Sequence, residues 1–439
     1  MRLPKTPPNW LDLYKSFDSE KLTQVFTLNP DQSGYLHWDK LVHLKPPEGL
    51  NHSEWWAALK LGRHRLYKQI PLLDKTGEAF QFSVIDPVPE ALHRIDLSAG
   101  GKIGVPSEVI NPETRDQYYV SSLIEEAVTS SQLEGATTTR EVAKEMIRTS
   151  RAPRDRSEQM ILNNFRTMQR IMELKDQPLS GQLIIDLQKL VCHNAIDNPD
   201  AIGRFRKADE VVVVGDFEGQ VMHEPPAADE LEERVAQMCD FANGVTPDYF
   251  IHPAIRAIIL HFWMAYVHPF VDGNGRTARA LFYWAMLHNG FWVCEFISIS
   301  HIIKKAPVKY SRAFLYTETD ENDLTYFILY HIDVLRRALE ELDSYIARRS
   351  KELTRVEQQI RMTVLINHRQ RALISHALRH PHTLYSTQGH QLSHNVSYQT
   401  ARNDLIDLQN KGLLSVIKSG RTWYFQPVDD LEERLAKLK

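Results

Sequence analysis

The sequence has few cysteines and no excess of either charge. Only three cysteines, Cys192, Cys239 and Cys294, occur in 439 residues, and none belongs to a CxxC pair. This excludes a disulfide framework and a cysteine-based zinc site, and it indicates buried thiols in a reducing compartment. Lysine and arginine total 52 against 56 aspartate and glutamate, a formal net charge of −4. The chain as a whole is therefore no general binder of polyanions.

Long apolar runs are also absent. The first residues lack the apolar segment of a secretory signal, and the longest apolar stretch, 257–271, is interrupted by His261 and His268. A membrane-spanning helix needs about 20 mostly apolar residues, so we expect a cytoplasmic protein without a membrane segment. Hydrophobic residues at 43% and charged residues at 25% are ordinary for a folded chain, which excludes disorder and fibrous repeats.

The residue patterns divide the chain into three parts. Residues 1–105 mix short strand-like and helical patterns and form an N-terminal region. Residues 106–350 form the middle part, and from about 113 to 342 apolar residues recur at intervals of three and four, which predicts a mainly α-helical domain. Within it, 211–222 is β-branched around a Gly-Asp turn and predicts a hairpin. A charged helix over 335–361 leads into a C-terminal domain, which completes the part from 351 to 439.

The segment 253–290 is the most informative about chemistry. Residues 253–267 are apolar on nearly all sides, which predicts a buried helix, and helical periodicity resumes at Ala280. The Gly-Asn-Gly loop between the two helices allows backbone N–H groups to converge beside a helix start. Such an arrangement is typical of anion-binding sites.

Four side chains with reactive or charged groups accompany this loop. Arg276 and Arg279, three residues apart on one helix face, can bind phosphate oxygens with their forked guanidinium groups. Asp272 offers a hard oxygen ligand suited to Mg²⁺, and His268 can accept a proton near neutral pH. Together they predict a nucleotide-dependent transfer reaction.

The residues from His268 to Arg279 match the signature H-x-F-x-D-G-N-G-R-x-x-R at every specified position, and on them the chain resembles the Fic family. The resemblance implies an α-helical Fic core with a β-hairpin flap. It also implies transfer of AMP from ATP to a Ser, Thr or Tyr hydroxyl of a target protein, including the chain itself. His268 would be the general base and Asp272 would hold Mg²⁺. The residues implied to bind the phosphates of ATP are Gly273, Asn274, Gly275, Arg276 and Arg279.

Ser130 to Gly135 resembles the inhibitory motif [S/T]-x-x-x-E-[G/N] of the same family, on a helix predicted over 117–135. Gly135 suits a left-handed helix cap. The resemblance implies a class II member that is autoinhibited in cis: Glu134 would pair with Arg279 at the ATP site and so misalign ATP. Because Glu134 could also position water, removal of AMP from a modified protein is an alternative reaction.

Two segments around the site receive roles from the resemblance. The hairpin 211–222 corresponds to the flap, and its edge could dock a target backbone by strand addition; a purely structural hairpin is the alternative. The proposed docking residues are Val211, Val212, Val213 and Val214. Gly203-Arg-Phe-Arg206 resembles the approach to that flap. Tyr310 could line the adenine pocket, and a core tyrosine is the equal alternative.

The C-terminal segment 368–428 carries seven basic and two acidic residues. Three helical patterns followed by two strand patterns resemble a winged helix-turn-helix. The candidate DNA contacts are Tyr398, Gln399, Arg402 and Arg421. Docking of another protein or homodimerisation is the other use of such a module. A DNA-binding regulator with a nucleotide-sensing Fic core is therefore the alternative to an enzyme.

Overall fold

The structure, a computed structural model, describes residues 2–27, 34–99, 112–215, 219–362, 366–379, 383–419 and 422–437. The described residues fall into two compact units. Unit 1 lies within 1–104 and 119–340, and unit 2 lies within 105–118 and 341–439. Among the described helices, none combines the length and the apolar content that a membrane span requires.

The N-terminal part of unit 1 contains five helices and one hairpin in its described residues. They are α1 (Trp10–Lys15), α2 (Ser19–Thr27), α3 (Trp38–Leu41), α4 (His52–His64), β1 (Lys68–Leu73), β2 (Ala79–Phe82) and α5 (Val88–Ala99). Asn51 and Glu54 form a capping box that starts α4, which satisfies backbone N–H groups at the helix end. The turn between β1 and β2 is held by Asp74, whose carboxylate accepts the N–H groups of Thr76 and Glu78.

This N-terminal part does not form a separate unit, in contrast to the division predicted at residue 105. Lys60 of α4 is buried, and its Nζ lies 2.7 Å from Oδ1 of the buried Asp320. The Tyr67 hydroxyl donates to Oδ2 of Asp323 at 2.8 Å. A buried cation is stable only with such a partner, so these contacts join residues far apart in the sequence into one unit.

The helical part of unit 1 is built from long helices and one small hairpin. The elements are α6 (Pro112–Leu133), α7 (Arg140–Arg148), α8 (Arg156–Leu174), α9 (Gly181–Cys192), β3 (Val214–Gly215), β4 (Val221–His223), α10 (Leu231–Ala242), α11 (Pro253–Val267), α12 (Asn274–His288), α13 (Ile299–Lys304), α14 (Pro307–Thr319) and α15 (Thr325–Met362). Helices α11 and α12 are almost wholly buried and form the centre of the unit. Pro253 suits the first turn of α11, where its missing N–H costs no hydrogen bond.

The structure sets the bounds of three predicted elements. The helix predicted to have Arg276 and Arg279 in its first turn begins at Asn274, whose side chain bonds both backbone groups of Phe270. The helix predicted over 117–135 is α6, which runs from 112 to 133 and is followed by Gly135 at φ 93°. The hairpin predicted over 211–222 has strands only at 214–215 and 221–223.

The shorter hairpin has a physical cause. Val211 is 86% exposed and Val213 is 47% exposed. A β-branched run forms a strand where its side chains pack on a half-buried surface, and these two side chains lack such a surface. Residues 216–218, at the tip of the hairpin, lie outside the described residues.

Unit 2 contains four helices and a three-stranded sheet in its described residues, besides the first residues of α6 and the last residues of α15. They are α16 (His368–Arg379), β5 (Tyr385–Ser386), α17 (Thr387–His394), α18 (Tyr398–Asn410), β6 (Leu414–Ser419), β7 (Thr422–Pro427) and α19 (Leu431–Lys437). The sheet is antiparallel with the order β5-β7-β6. Its core includes Ile374, Leu405 and Phe425. The predicted three helices and two strands are present, β5 and α19 are additional, and the winged-helix interpretation stays a prediction.

Candidate active site

The candidate base, His268, directly follows the last residue of α11. It adopts a left-handed backbone with φ 48° and ψ 57°, which is uncommon for a residue with a side chain. Its N–H donates to the Met264 carbonyl at 3.2 Å. Its Nδ1 lies 3.1 Å from the Ala265 carbonyl oxygen, which can only accept, so Nδ1 carries the proton. Nε2 is then the nitrogen with a free lone pair.

The environment keeps this ring uncharged. Burial, with smaller contributions from His223 and Arg206, lowers the pKa of His268 to about 4, although the Ala265 carbonyl and Glu134 oppose this shift. The ring is therefore neutral at physiological pH. A neutral imidazole with an unprotonated Nε2 is the form that can accept a proton from a hydroxyl.

The loop after His268 forms a narrow cradle that only glycine fits. Gly273 has φ 86°, and a Cβ there would come within 2.6 Å of the Cys192 Sγ. Gly275 lies in the first turn of α12, and a Cβ there would collide with the Glu134 carboxylate. Backbone N–H groups at a helix start bind anions well, so the cradle can receive phosphate oxygens where Glu134 now lies.

Asp272 and Arg276 hold each other at the edge of this cradle. Nη2 of Arg276 donates to Oδ1 of Asp272 at 3.2 Å, and Nη1 donates to the Val191 carbonyl at 3.1 Å. The buried Nε of Arg276 has no hydrogen-bond partner among the described residues. Asp272 is 38% exposed, and its other oxygen lies 3.8 Å from Nη2 of Arg156. An exposed carboxylate beside an anion cradle fits Mg²⁺ bound to a polyphosphate.

Arg279 is bonded to residues in the last turn of α6 and just after it. Its Nε donates to the Ser130 hydroxyl at 2.8 Å, and its Nη2 donates to the Ser130 carbonyl at 2.9 Å and to Oε1 of Glu134 at 2.8 Å. Burial alone would raise the pKa of Glu134, but the charges of Arg279 and Arg276 hold it below its ordinary value. Glu134 is therefore ionised at neutral pH and forms a charge-assisted pair in the cradle.

A second set of contacts, not predicted from the sequence, joins α6 to α12 and to residues 298–300. The carboxylate of Glu126 accepts hydrogen bonds from Tyr283 at 2.8 Å, from Ser298 at 2.8 Å and from both the N–H and the hydroxyl of Ser300. Glu126 precedes Ser130 by four residues and Tyr283 follows Arg279 by four, so both pairs face each other one helical turn apart. The segment around Ser130 and Glu134 is thus held by two sets of contacts, one helical turn apart.

Comparison with known proteins relates part of the chain to one family. The profile of the Fic/DOC family matches residues 178–286. These residues form a Fic domain. The chain is 33% identical over 117 residues to Protein adenylyltransferase Fic of Nematostella vectensis, which is 27% of this chain and 25% of that protein. It is 36% identical over 108 residues to Protein adenylyltransferase fic-1 of Caenorhabditis briggsae, which is 25% of this chain and 19% of that protein.

The chain thus spans no more than a quarter of the length of these curated relatives. Among solved structures, a Fic family protein from Desulfovibrio desulfuricans G20 resembles it with a TM-score of 0.51 and 20% sequence identity. The match covers 79% of this chain and 97% of that protein. This likeness concerns the fold, which extends well beyond the Fic domain itself.

Tyr310 of α14 lies near Arg279. Its hydroxyl is 2.9 Å from Nε2 of the buried His261. Burial raises the pKa of Tyr310 to about 12, although the nearby Arg279 lowers it. Its ring packs edge-on against Phe314. The assignment of Tyr310 to an adenine pocket stays a prediction.

The segments next to the hairpin contact the loop after His268 through residues to which the sequence assigned no role. Arg206 bonds the His268 carbonyl, and Gln188 of α9 links the Asp272 carbonyl to the Gly203 N–H. The Gly203–Arg206 segment was noticeable only as a resemblance to the approach to a flap. Gln188 stands within an amphipathic helix, where no local signal marks it. The exposed Val211 and Val213 precede the first strand of the flap.

The candidate DNA contacts belong to unit 2. Tyr398, Gln399 and Arg402 lie at the start of α18, and Tyr398 is 54% exposed. Arg421 lies outside the described residues. Asp404 pairs with Arg369 at 2.7 Å, and Asp407 pairs with Lys411, so both acidic residues of this segment are neutralised locally.

Proposed function

We propose that this chain is a protein adenylyltransferase that transfers AMP from ATP to a protein hydroxyl. The observation that carries the proposal is the arrangement of His268 and the glycine cradle. A neutral imidazole with a free Nε2 stands one short loop from a helix start where phosphate oxygens can bind. The two curated relatives that match the Fic domain are named protein adenylyltransferases, which supports AMP as the transferred group.

Each residue has a defined task in this reaction. The N–H groups around Gly273–Gly275 hold the phosphates, and Arg276 and Arg279 bind their negative charge. Nε2 of His268 takes the proton of the target hydroxyl, while the oxygen of that hydroxyl forms a bond to the α-phosphorus of ATP. The bond from that phosphorus to pyrophosphate breaks. Asp272 would hold Mg²⁺, which when bound neutralises charge on the departing pyrophosphate.

We further propose that the chain is autoinhibited in cis. Glu134 engages Arg279 and lies against Gly275, so the positions that a triphosphate needs are occupied by a carboxylate of the same chain. The two-level docking of α6 keeps the carboxylate in place. The chain itself is the first candidate for the target protein.

Mass spectrometry of the purified full chain tests the proposed activity. After incubation with Mg²⁺ and ATP, we expect a small fraction of molecules to gain the mass of AMP, and none to gain it without the metal. Parallel incubations with GTP and UTP test the preference for the base. If a chain already carrying AMP instead loses it with Mg²⁺ and no ATP, the reverse reaction is the main one.

For unit 2 we propose duplex DNA as the partner, because the exposed first turn of α18 presents Tyr398, Gln399 and Arg402 together. We expect the full chain to retard the migration of a DNA duplex in gels at low salt. The fraction of bound duplex should fall as the salt concentration rises. Arg402→Ala should weaken binding by about 1–3 kcal/mol, whereas Arg434→Ala, the same charge change on α19, should not. The absence of any shift at low salt would favour protein docking instead.

A further inference from the structure

Arg206 is a buried cation that bonds only backbone carbonyls among the described residues. It is 8% exposed and forms no ion pair with a described carboxylate. Its Nε donates to the His268 carbonyl at 3.0 Å, and its Nη2 donates to the Pro226 carbonyl. Burying a charge is costly unless its donors are satisfied. The fold therefore tolerates the free-energy cost of burying the Arg206 charge next to His268, the candidate base.

The partners of Arg206 lie in two segments that are far apart in the sequence, one at Pro226 and one at His268. The flap strands lie between Arg206 and Pro226, so these two residues are the stems of the flap. The backbone N–H of Arg206 also donates to the Pro269 carbonyl at 2.9 Å. The neighbouring Phe205 ring packs 5.6 Å from that of Phe270. Both stems are thus tied to the loop that begins at His268.

The hydrogen bond from Arg206 also helps to hold the backbone of His268 in its conformation. A left-handed backbone at a non-glycine residue persists where its surroundings hold it. The N–H of His268 is held by Met264, its Nδ1 by Ala265 and its carbonyl by Arg206. Nε2 is left for chemistry. A guanidinium suits this task because its donors lie in a fixed plane and can reach two carbonyls at once.

We propose that Arg206 is a positioning residue for AMP transfer. It fixes the stems of the flap relative to His268, so that a hydroxyl held at the flap meets Nε2 in the correct position. This inference rests on the proposed function and deepens it. Among the described residues, Arg206 forms no hydrogen bond with the glycine cradle or with Arg279. Its loss should therefore affect the reaction rate rather than the binding of ATP.

The test compares Arg206→Met and Arg206→Lys in a chain that also carries Glu134→Gly, which frees the ATP site. At saturating ATP, we expect AMP incorporation to fall by about 10- to 100-fold in Arg206→Met, as for a small misplacement of reacting groups. Arg206→Lys, which can reach only one carbonyl, should lie between. The ATP concentration that gives the half-maximal rate should change by less than about threefold, because the residues assigned to ATP binding are unchanged.

Arg204→Met is the matched control. Arg204 lies two residues away and pairs with Glu210 at 2.6 Å rather than with the loop of His268, so its replacement should keep the rate within about twofold. If Arg206→Met keeps the parent rate, or if it weakens ATP binding as much as the rate, the proposal is wrong. If Arg206→Met does not fold, Arg206→Lys decides by the same criteria.

Hydrogen exchange measured without nucleotide makes the test independent of activity. In both Arg206 variants, peptides covering 221–226 and 268–270 should exchange faster than in the parent, whereas the Arg204 control should match the parent. Unchanged exchange at 268–270 would overturn the connection between flap and base. If the parent incorporates no AMP into any protein, the proposed function fails, and the exchange data still decide the role of Arg206.

Discussion

Replacing Glu134 with glycine is expected to raise AMP incorporation into the chain by about 10- to 100-fold. The substitution removes the carboxylate that holds Nη2 of Arg279 at 2.8 Å and occupies the space beside Gly275. A hydrogen bond to a charged group contributes about 1.5–3 kcal/mol net, and each 1.4 kcal/mol corresponds to about tenfold in an equilibrium or a rate. Incorporation of label from ATP by the full chain measures the change.

The substitution is also structurally mild. Glu134 follows Leu133, the last residue of α6, so a glycine there leaves the helix intact. Glu134→Gln keeps the shape and loses the charge, and it should give a smaller increase. Glu125→Gln is the matched control, since Glu125 lies on the same helix and pairs with Arg140 at 2.6 Å instead. Equal labelling of the natural and Glu134→Gly chains would contradict autoinhibition by this residue.

In the Glu134→Gly chain, His268→Ala is expected to lower AMP incorporation by about 100- to 10,000-fold, the range over which a positioned general base accelerates a reaction. The ring supplies the free Nε2 that takes the proton of the target hydroxyl, and no other imidazole is placed at the cradle in the described residues. ATP binding should persist, because the groups assigned to the phosphates are unchanged. The labelling rate and the ATP affinity, measured on the same preparation, separate the two effects.

His193→Ala provides the comparison for this substitution. His193 is an exposed residue at the end of α9, and its ring contacts Asn194 rather than the cradle. Its loss should leave labelling unchanged. Labelling by the His268→Ala chain at the parent rate would show that another group removes the proton, and it would remove the proposed mechanism.

Local chemistry made part of the fold predictable. The apolar run 253–267 predicted a buried helix, and α11 has those same bounds, because a helix that is apolar on all sides can lie only in a core. The sequence placed Arg276 and Arg279 in the first turn of α12. Only the structure shows that the helix begins at Asn274, because the side-chain bonds of Asn274 to Phe270 depend on how the loop folds back. The strands at 214–215 and 221–223 are shorter than predicted because neighbouring valines have no surface to pack on.

By itself, the sequence determined the order of the helices, the left-handed turn at Gly135 and the composition of the loop after His268. These features depend on residues within a few positions of one another. The resemblance to a family added the expected pairing of Glu134 with Arg279. Only the tertiary structure decided which distant groups meet: Glu126 with Tyr283, Arg206 with His268 and Lys60 with Asp320. Such pairs form between elements far apart in the chain, so packing of the whole unit, and no local pattern, selects them.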